Sequence, residues 1–150
     1  MENIREKVKI RRLRPEDSSQ IDRIYSAIVK KDAVVDSRKI ISHLIDDKEN
    51  ASFVAEIEGK VVGFMISYIL SGGFGMIEKS AWIAMLGVDP RYMGQGIGKM
   101  LAEEIFKFYR KKKIKTIYTS VRWDSVDLLS FFKTLGFDRS NFINLRKTLR

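Results

Sequence analysis

The 150-residue sequence contains no cysteine and only one histidine, His43. The absence of cysteine excludes disulfide bonds, thiolate zinc sites and a cysteine nucleophile. A single histidine cannot build a multi-histidine metal centre, so we expect no catalytic metal. These two absences remove most thiol-dependent and metal-dependent enzymes from consideration.

Long apolar runs are also missing. No run approaches the roughly 20 residues that a membrane helix needs, and the charged N-terminus, Met1–Arg14, is not followed by an apolar stretch. We therefore expect a soluble cytoplasmic protein without a membrane partner. The length, with 45 % hydrophobic residues, is that of one globular domain covering residues 1–150.

Negative charge is in short supply, because 28 basic residues face 19 acidic ones, for a net charge of +9. This excess favours a polyanionic ligand, such as nucleic acid or a phosphorylated cofactor. Alternatively, the charges only form a solvated surface. The basic residues are scattered from Arg5 to Arg150 rather than confined to one stripe interleaved with aromatics. Nucleic-acid binding is therefore the least favoured of the three.

Hydrophobic periodicity predicts both strands and helices along the chain. Val8 and Ile10 alternate with charged residues as in a half-buried strand, and Pro15 opens an amphipathic helix. The remaining predicted elements are, in chain order, a helix at Ser37–Ile45, a hairpin of Phe53–Ile57 and Val61–Leu70, a strand at Ser80–Val88, a helix from Ile97, a strand at Ile117–Val121, a helix at Leu128–Leu135 ended by Gly136, and a strand at Phe142–Leu149. The order indicates an α/β (α+β) fold with a mixed sheet.

A glycine-rich turn joins the predicted strand at Ser80–Val88 to the following helix. Gly94, Gly96 and Gly98 let several backbone N–H groups converge at a positive helix terminus, a geometry that binds phosphate. The turn is not a Walker loop, because Gly98-Lys99 is followed by Met100. It also comes too late in the chain for a dinucleotide fingerprint.

The residues around this turn resemble the GNAT superfamily of N-acetyltransferases, whose signature is Arg/Gln-x-x-Gly-x-Gly/Ala after a strand that ends Val-x-Pro. Val88-Asp89-Pro90 followed by Gly94–Gly98 looks like the first cofactor motif of the family, and Phe131–Phe137 looks like the second. The order of predicted elements is similar over nearly the whole chain. The resemblance implies a mostly antiparallel central sheet flanked by helices, with a splayed strand pair that admits acetyl-coenzyme A.

The resemblance also implies how the cofactor is held. Backbone amides of Gly94–Lys99 would bind the pyrophosphate, and Leu86 and Val88 would pair with the pantetheine arm as if it were an added strand. The implied cofactor-binding residues are Leu86, Val88, Met93, Gly94, Gln95, Gly96, Ile97, Gly98, Lys99, Ser125 and Phe132.

Three positions depart from the pattern of the family. Met93 stands at the leading Arg/Gln position, and we expect Arg91 and Lys99 to compensate for the missing polar group. Phe132 stands where many members carry a tyrosine that protonates the departing thiolate, so it is either core or a cofactor-packing surface. Ser125 replaces a common asparagine and is either a hydrogen-bonding residue or a helix cap.

The carboxylate that often serves as general base is also missing, since no acid lies between Ile83 and Val88. A base matters because an amine with a pKa near about 10.4 is protonated at neutral pH. Glu78 and Asp124 are the nearest carboxylate candidates, although each fits surface or capping roles, and Asp124 suits the N-cap of the next helix. A water chain is the alternative, and His43 fits a helix surface better than catalysis.

The sequence therefore predicts an N-acetyltransferase that moves an acetyl group from acetyl-coenzyme A to a primary amine by direct attack. The acceptor would be a small-molecule or peptide amine, and the protein a monomer or homodimer. Tyr68, Trp82 and Trp123 would shape the acceptor pocket, unless they are simply core residues. The alternative function is a noncatalytic acyl-coenzyme A binding or sensing module.

Overall fold

A computed structural model describes residues 4–29, 37–45, 48–72 and 78–150. The chain divides into two compact units, residues 1–119 and 120–150. Over the ranges described, no helix is long and apolar enough to cross a membrane. The first unit contains α1 (Ile4–Lys7), β1 (Lys9–Arg12), α2 (Ser18–Val29), α3 (Ser37–Ile45), β2 (Ser52–Ile57), β3 (Lys60–Leu70), β4 (Ser80–Val88), α4 (Ile97–Lys111) and β5 (Ile117–Thr119), and the second contains α5 (Val126–Thr134).

The first unit is built on a five-stranded sheet in the order β1-β2-β3-β4-β5. Strands β1 to β4 are antiparallel neighbours, and β5 runs parallel to β4. The hairpin between β2 and β3 turns at Glu58 and Gly59, whose φ angles of 50° and 79° suit a tight two-residue connection. The predicted hairpin and the mixed, mostly antiparallel fold are therefore confirmed.

Helices α2 and α3 cover one face of the sheet. Their apolar side chains form one buried cluster with residues of the strands, and its members are Leu13, Ile21, Ile24, Ile41, Val54, Val61, Phe64 and Ile66. The helical spacing of Ile21 and Ile24 places both on the same side of α2. Burying a side chain of this size contributes about 1.5–3 kcal/mol, so this face is a large part of the core.

Helix α4 covers the opposite face, where it presses closely on β3. A β-carbon on Gly63 would lie 3.1 Å from Cγ2 of Ile97 and 3.3 Å from Cδ1 of Leu101, so glycine permits the close approach. Because helices pack on both sides, β3 is buried continuously from Val61 to Ser67. The central strand therefore reads as an unbroken apolar run rather than an alternating one.

A partly buried ion-pair network joins β1, β2 and the 3-10 turn before α2. Arg11 contacts Asp17 at 2.8 Å and Glu56 at 2.9 Å, and the Arg14 N–H donates to Asp17 at 2.8 Å. Burial alone would raise the pKa of Asp17, but the hydrogen bonds from Arg11 and Arg14 outweigh it and hold that pKa below its ordinary value of 3.8. Asp17 therefore stays ionised as it links the 3-10 turn before α2 to β1.

The second unit is organised around α5. The helix ends at Thr134 and is terminated by Gly136, which has a φ of 90° and whose N–H donates to the Lys133 carbonyl at 3.1 Å. The Phe137 N–H then donates to the Phe132 carbonyl at 3.0 Å, which completes a Schellman motif. The prediction that Gly136 ends this helix is confirmed.

The chain differs from the sequence prediction at several points. The strand predicted at Ile117–Val121 ends at Thr119, because only Ile117–Thr119 pair with β4. The strand expected at Phe142–Leu149 is wrong, because the described residues 138–150 lie in neither helix nor strand. Ile143, Leu145 and Leu149 are 84–85 % exposed there. Period-two alternation shows that a segment can be a strand, but a strand also needs a neighbour, and the second unit supplies none to this segment. The short helix α1 was not predicted.

Candidate functional site

The glycine-rich turn lies between the end of β4 and the start of α4. A 3-10 turn at Pro90–Tyr92 follows β4, and Asp89 caps it by accepting a hydrogen bond from the Arg91 N–H at 3.0 Å. Gly94 and Gly96 then have φ angles of 78° and 81°, which side chains with a β-carbon rarely adopt. The glycines are therefore required by the backbone conformation of the turn.

The start of α4 presents backbone donors to this turn. Its first hydrogen bond joins the Met100 N–H to the Gly96 carbonyl at 3.1 Å, so the N–H groups of Ile97, Gly98 and Lys99 precede the helical ladder. The side chain of Ile97 is buried, so this residue offers only its backbone. Among the residues that the structure describes, no atom lies within 4 Å of the place where a β-carbon on Gly94 would stand. Unhindered backbone and aligned donors fit a phosphate group.

Asp89 anchors the entrance to the turn from within the protein. Its buried carboxylate lies 3.4 Å from Arg23 Nη1 on α2 and 3.2 Å from Arg91 Nη2. Burial alone would raise the pKa of Asp89, but the hydrogen bonds from Arg91 and Arg23 outweigh it and hold that pKa below 3.8. The ionised carboxylate therefore fixes the turn against α2 while it also occupies the guanidinium of Arg91.

One edge of β4 lies open beside the turn. The Asp89 N–H donates to the Val62 carbonyl on β3 at 2.8 Å. Because backbone groups alternate in direction along an antiparallel pair, those of Val88 and Leu86 point away from β3. Both residues thus present their N–H and C=O groups at the edge where pairing with pantetheine was predicted.

Strand β5 covers only the beginning of that edge. The register pairs Ala81, Trp82 and Ile83 with β5 and goes no further. The hydroxyl of Thr119, the last residue of β5, donates to the Ile83 carbonyl at 3.1 Å. From Ala84 to Val88, no strand in the described part of the chain pairs with β4 on this side. β4 therefore continues past the end of β5, as the predicted splayed strand pair requires.

A β-bulge in the pairing of β4 with β3 lies just beyond the point where the pairing of β4 with β5 ends. Ile66 pairs with Met85 and Ser67 pairs with Ile83, so Ala84 has no residue opposite it on β3. Ala84 is exposed and also lies one residue beyond the β5 ladder. Bulges leave backbone groups unpaired and recur beside active sites. The open edge therefore runs from the glycine turn to unpaired backbone at Ala84.

Aromatic side chains line the α2 and α3 face of the sheet near this bulge. Trp82 pairs in register with Tyr68 on β3, and its ring stacks on that of Tyr118 with centroids 4.8 Å apart. Trp82 Nε1 and Ser80 Oγ are buried and have no hydrogen-bond partner among the described residues. A buried donor without a partner is costly, so both atoms are suited to contact a ligand. Trp123, in the second unit, is 87 % exposed.

The two candidate bases are both at the surface. Glu78 is 73 % exposed, and its carboxylate lies 3.9 Å from Lys115 Nζ. Asp124 is 68 % exposed and accepts hydrogen bonds from Arg122 at 2.9 Å and 3.0 Å, which hold the pKa of Asp124 below 3.8 and weaken it as a base. Asp124 is not the N-cap of α5, because that position belongs to Ser125. The catalytic role of either residue stays a prediction.

The second cofactor motif lies in the second unit. Phe132 is buried, with its ring centroid 5.2 Å from that of Phe131 and 5.0 Å from that of Phe137. It is therefore a core residue of this unit. Ser125 accepts the Leu129 N–H at its carbonyl, 3.0 Å away, and its side chain makes no cap hydrogen bond. Their predicted contacts with the cofactor remain untested by this geometry.

The structure adds a residue that the sequence pattern did not single out. Arg5 on α1 reaches the glycine turn, where its Nε donates to the Gln95 carbonyl at 3.2 Å. Its Nη2 lies 2.8 Å from the position of a β-carbon on Gly96. No local signal connects these residues, because they are 90 positions apart. Met93, at the signature position, is 54 % exposed and carries no charge.

Comparison with known families identifies a match over most of the chain. A family model described as the acetyltransferase (GNAT) family matches residues 17–137. An uncharacterized N-acetyltransferase of Methanocaldococcus jannaschii is 29 % identical over 102 residues, which are 67 % of this chain and 44 % of that protein. The chain spans less than half of the length of the curated relatives that it matches.

Solved structures share the fold over nearly the whole chain. An aminoglycoside acetyltransferase from an uncultured soil metagenomic sample, in complex with sisomicin, has a TM-score of 0.80 and 25 % identity, with 98 % of this chain and 99 % of that chain covered. An aminoglycoside N-acetyltransferase in complex with CoA has a TM-score of 0.77 and 14 % identity, with 94 % of each chain covered. At that identity the second likeness shows the fold alone.

Proposed function

Since the chain belongs to the acetyltransferase (GNAT) family, we propose that it transfers an acetyl group from acetyl-coenzyme A to a primary amine. One observation carries this proposal. The anion-binding turn at Gly94–Lys99 continues directly into the open edge of β4, and that edge leads to unpaired backbone at the Ala84 bulge. A pyrophosphate site, a strand-like track and a reaction position thus follow one another along the chain.

Each part of this track has its own task. The N–H groups at the start of α4 hold the pyrophosphate, and the backbone of Leu86 and Val88 pairs with the amides of the pantetheine arm. When bound, acetyl-coenzyme A supplies the thioester whose acyl carbon the amine attacks. Backbone N–H groups of this edge that the pantetheine leaves unpaired polarise the acyl carbonyl, because fixed donors stabilise the charge that develops on its oxygen. No side-chain nucleophile is needed.

The amine must lose a proton before it attacks, because its ordinary pKa is about 10.4. Glu78 and Asp124 are the proposed bases, with a chain of water molecules as the alternative. Phe132 cannot donate a proton to the departing thiolate. A thiol with a pKa of about 8.5 leaves readily enough for water to protonate it.

The proposed acceptor is a small-molecule or peptide amine with hydrogen-bond acceptors close to the reacting nitrogen. Trp82 and Ser80 provide buried polar atoms without partners in the described residues, on the sheet face that α2 and α3 cover. The structural neighbour in complex with sisomicin holds an amine-rich ligand of this class. We further propose that the protein acts in the cytoplasm, as a monomer or homodimer.

The test is a coenzyme A release assay with acetyl-coenzyme A and a panel of aminoglycosides, polyamines and peptides with free N-termini. Transfer to at least one amine, with the acetylated product identified by mass spectrometry, is the expected result. The second candidate is an acyl-coenzyme A sensor, which the acid-free strand and Phe132 favour. Tight coenzyme A binding without turnover on any acceptor would support the sensor over the enzyme.

A further inference from the structure

The first helix places a cation against the cofactor turn. Arg5 lies on α1, at the far end of the chain from the turn in sequence, and its Nε donates to the carbonyl of Gln95 at 3.2 Å. The rest of the guanidinium lies over Gly96, with Nη2 and Nε at 2.8 Å and 3.0 Å from where a β-carbon would stand. The absence of a side chain at Gly96 therefore provides the space that Arg5 occupies.

Arg91 and Lys99, the two cations expected to compensate for Met93, each contact a carboxylate. Arg91 contacts the buried carboxylate of Asp89 through both Nε and Nη2, at 3.4 Å and 3.2 Å. Lys99 Nζ lies 4.0 Å from Glu103 one helical turn further along α4. If Arg91 and Lys99 compensate for the uncharged Met93, the phosphates must compete with Asp89 and Glu103 for these two cations.

We propose that the Arg5 guanidinium binds the pyrophosphate of coenzyme A and supplies the cationic contact that Met93 cannot make. The proposal rests on the proposed function, which places the pyrophosphate at Gly94–Lys99. A guanidinium offers N–H donors in a planar fork that matches phosphate oxygens. The hydrogen bond to Gln95 holds this fork beside the turn before the ligand arrives. Arg5 is a binding residue and takes no part in the chemical step.

The test measures binding of coenzyme A and of 3′-dephospho-coenzyme A to the full chain by titration calorimetry. Arg5→Ala is expected to raise the Kd of both ligands by about five- to tenfold at low salt, since both carry the pyrophosphate. Lys9→Ala is the matched control, because it removes one exposed positive charge at the start of β1, the strand that follows α1. It should leave both Kd values unchanged.

A second variant separates charge from turn shape. Arg5→Lys keeps the charge but loses both the planar fork and the Nε hydrogen bond to Gln95. It should therefore restore part of the affinity at low salt, through its charge alone. The ratio of Kd values for Arg5→Ala and the unchanged protein should approach one at about 1 M salt, where charges are screened within about 3 Å. A lysine variant as weak as the alanine variant, with a salt-independent ratio, would show that Arg5 only shapes the turn and would overturn the proposal.

Gly94→Val distinguishes failure of this proposal from failure of the proposed site. Valine at a φ of 78° distorts the turn, while its β-carbon meets no atom of the described residues within 4 Å. A thermal melt verifies folding. Lost affinity in Gly94→Val beside unchanged affinity in Arg5→Ala would reject only the role of Arg5. Unchanged affinity in Gly94→Val would reject the site itself. A loss in Arg5→Ala that appears with coenzyme A but not with the dephospho form would assign Arg5 to the 3′-phosphate and overturn the proposal.

Discussion

The side-chain hydroxyl of Thr119 donates a hydrogen bond to the backbone carbonyl of Ile83, 3.1 Å away, at the last pair of the β4–β5 ladder. The hydroxyl satisfies the carbonyl at which the two strands part. Beyond it, the edge of β4 is open from Ala84 onward in the described structure. The Thr119 side chain thus makes its hydrogen bond at the end of the β4–β5 ladder. The edge of β4 that is predicted to pair with the cofactor begins at the next residue.

We predict that Thr119→Val lowers the free energy of unfolding by about 1 kcal/mol, because the isosteric side chain leaves the Ile83 carbonyl without its donor. Urea denaturation measures the effect. Thr116→Val is the matched control, since its side chain is exposed three residues earlier in the chain. Equal stabilities of the two variants would contradict the importance of this hydrogen bond.

We predict that Gly96→Val weakens coenzyme A binding by about tenfold or more without unfolding the protein. A side chain at a φ of 81° is strained, and its β-carbon would meet the Arg5 guanidinium at 2.8 Å. Gly59→Val is the matched control, because Gly59 has a φ of 79° in the β2–β3 hairpin and its β-carbon position has no atom within 4 Å in the described part of the chain. If Gly59→Val weakened coenzyme A binding as much as Gly96→Val, the effect would not be specific to Gly96 and the site would have to lie elsewhere.

We predict that Asp89→Asn lowers the free energy of unfolding by about 1–3 kcal/mol at neutral pH, because two arginine contacts lose their buried charge. The folded-state pKa of Asp89 lies below its unfolded value of 3.8. Its contribution is therefore fully present above that value and is lost as the pH falls through the folded pKa.

Urea denaturation from pH 7 to pH 3 checks this prediction. The difference between Asp89→Asn and the unchanged protein should be largest at neutral pH and should shrink in the acid range. Asp124→Asn is the control, because its ion pair with Arg122 is solvent-exposed. A difference that grew as the pH fell would show that the sign of the Asp89 shift is wrong.

We predict that removal of the general base moves the onset of acetyl transfer to higher pH, because solvent must then take the proton from the amine. The pH profiles of kcat/KM for Glu78→Gln and Asp124→Asn measure this shift separately. The Arg122 contact lowers the pKa of Asp124, so we expect the larger effect from Glu78→Gln. Two profiles that match the unchanged protein would eliminate both residues and favour deprotonation through water.

We predict that Trp82→Phe raises the KM for the amine about fivefold and leaves the Kd for coenzyme A unchanged. Phenylalanine can keep the stack on Tyr118 but lacks the Nε1 donor, whose partner in this proposal is the acceptor substrate. Trp123→Phe is the control, since that ring is 87 % exposed. An unchanged KM in Trp82→Phe would place the acceptor elsewhere.

Local chemistry made much of the fold predictable. The helix at Ser37–Ile45 and the strand at Ser80–Val88 were expected with the bounds that the structure has, because each carries a clear hydrophobic pattern. Gly94 and Gly96 have the positive φ angles that the turn hypothesis allowed for. Patterns within one segment were therefore reliable wherever the burial of that segment decided its conformation.

Relations between distant segments were not predictable in the same way. The bulge at Ala84 depends on the register of β3 against β4, and alanine has no preference that marks it. The contact between Arg5 and Gln95 joins residues 90 positions apart. The segment Phe142–Leu149 alternates like a strand but finds no neighbour in its own unit. In each case the structure depends on which distant segment lies beside the residue, and the local sequence does not carry that information.

The close seat of Ile97 on Gly63 has a consequence for the energetics of ligand capture. Ile97 begins α4 and its side chain is buried in the core. The backbone N–H groups at the start of α4 therefore cannot move outward without opening a cavity against β3. The cradle is thus assembled before the ligand arrives, and little conformational entropy is left to lose when an anion docks. Any mobility that the proposed reaction needs must then come from segments other than the turn proposed to hold the phosphates.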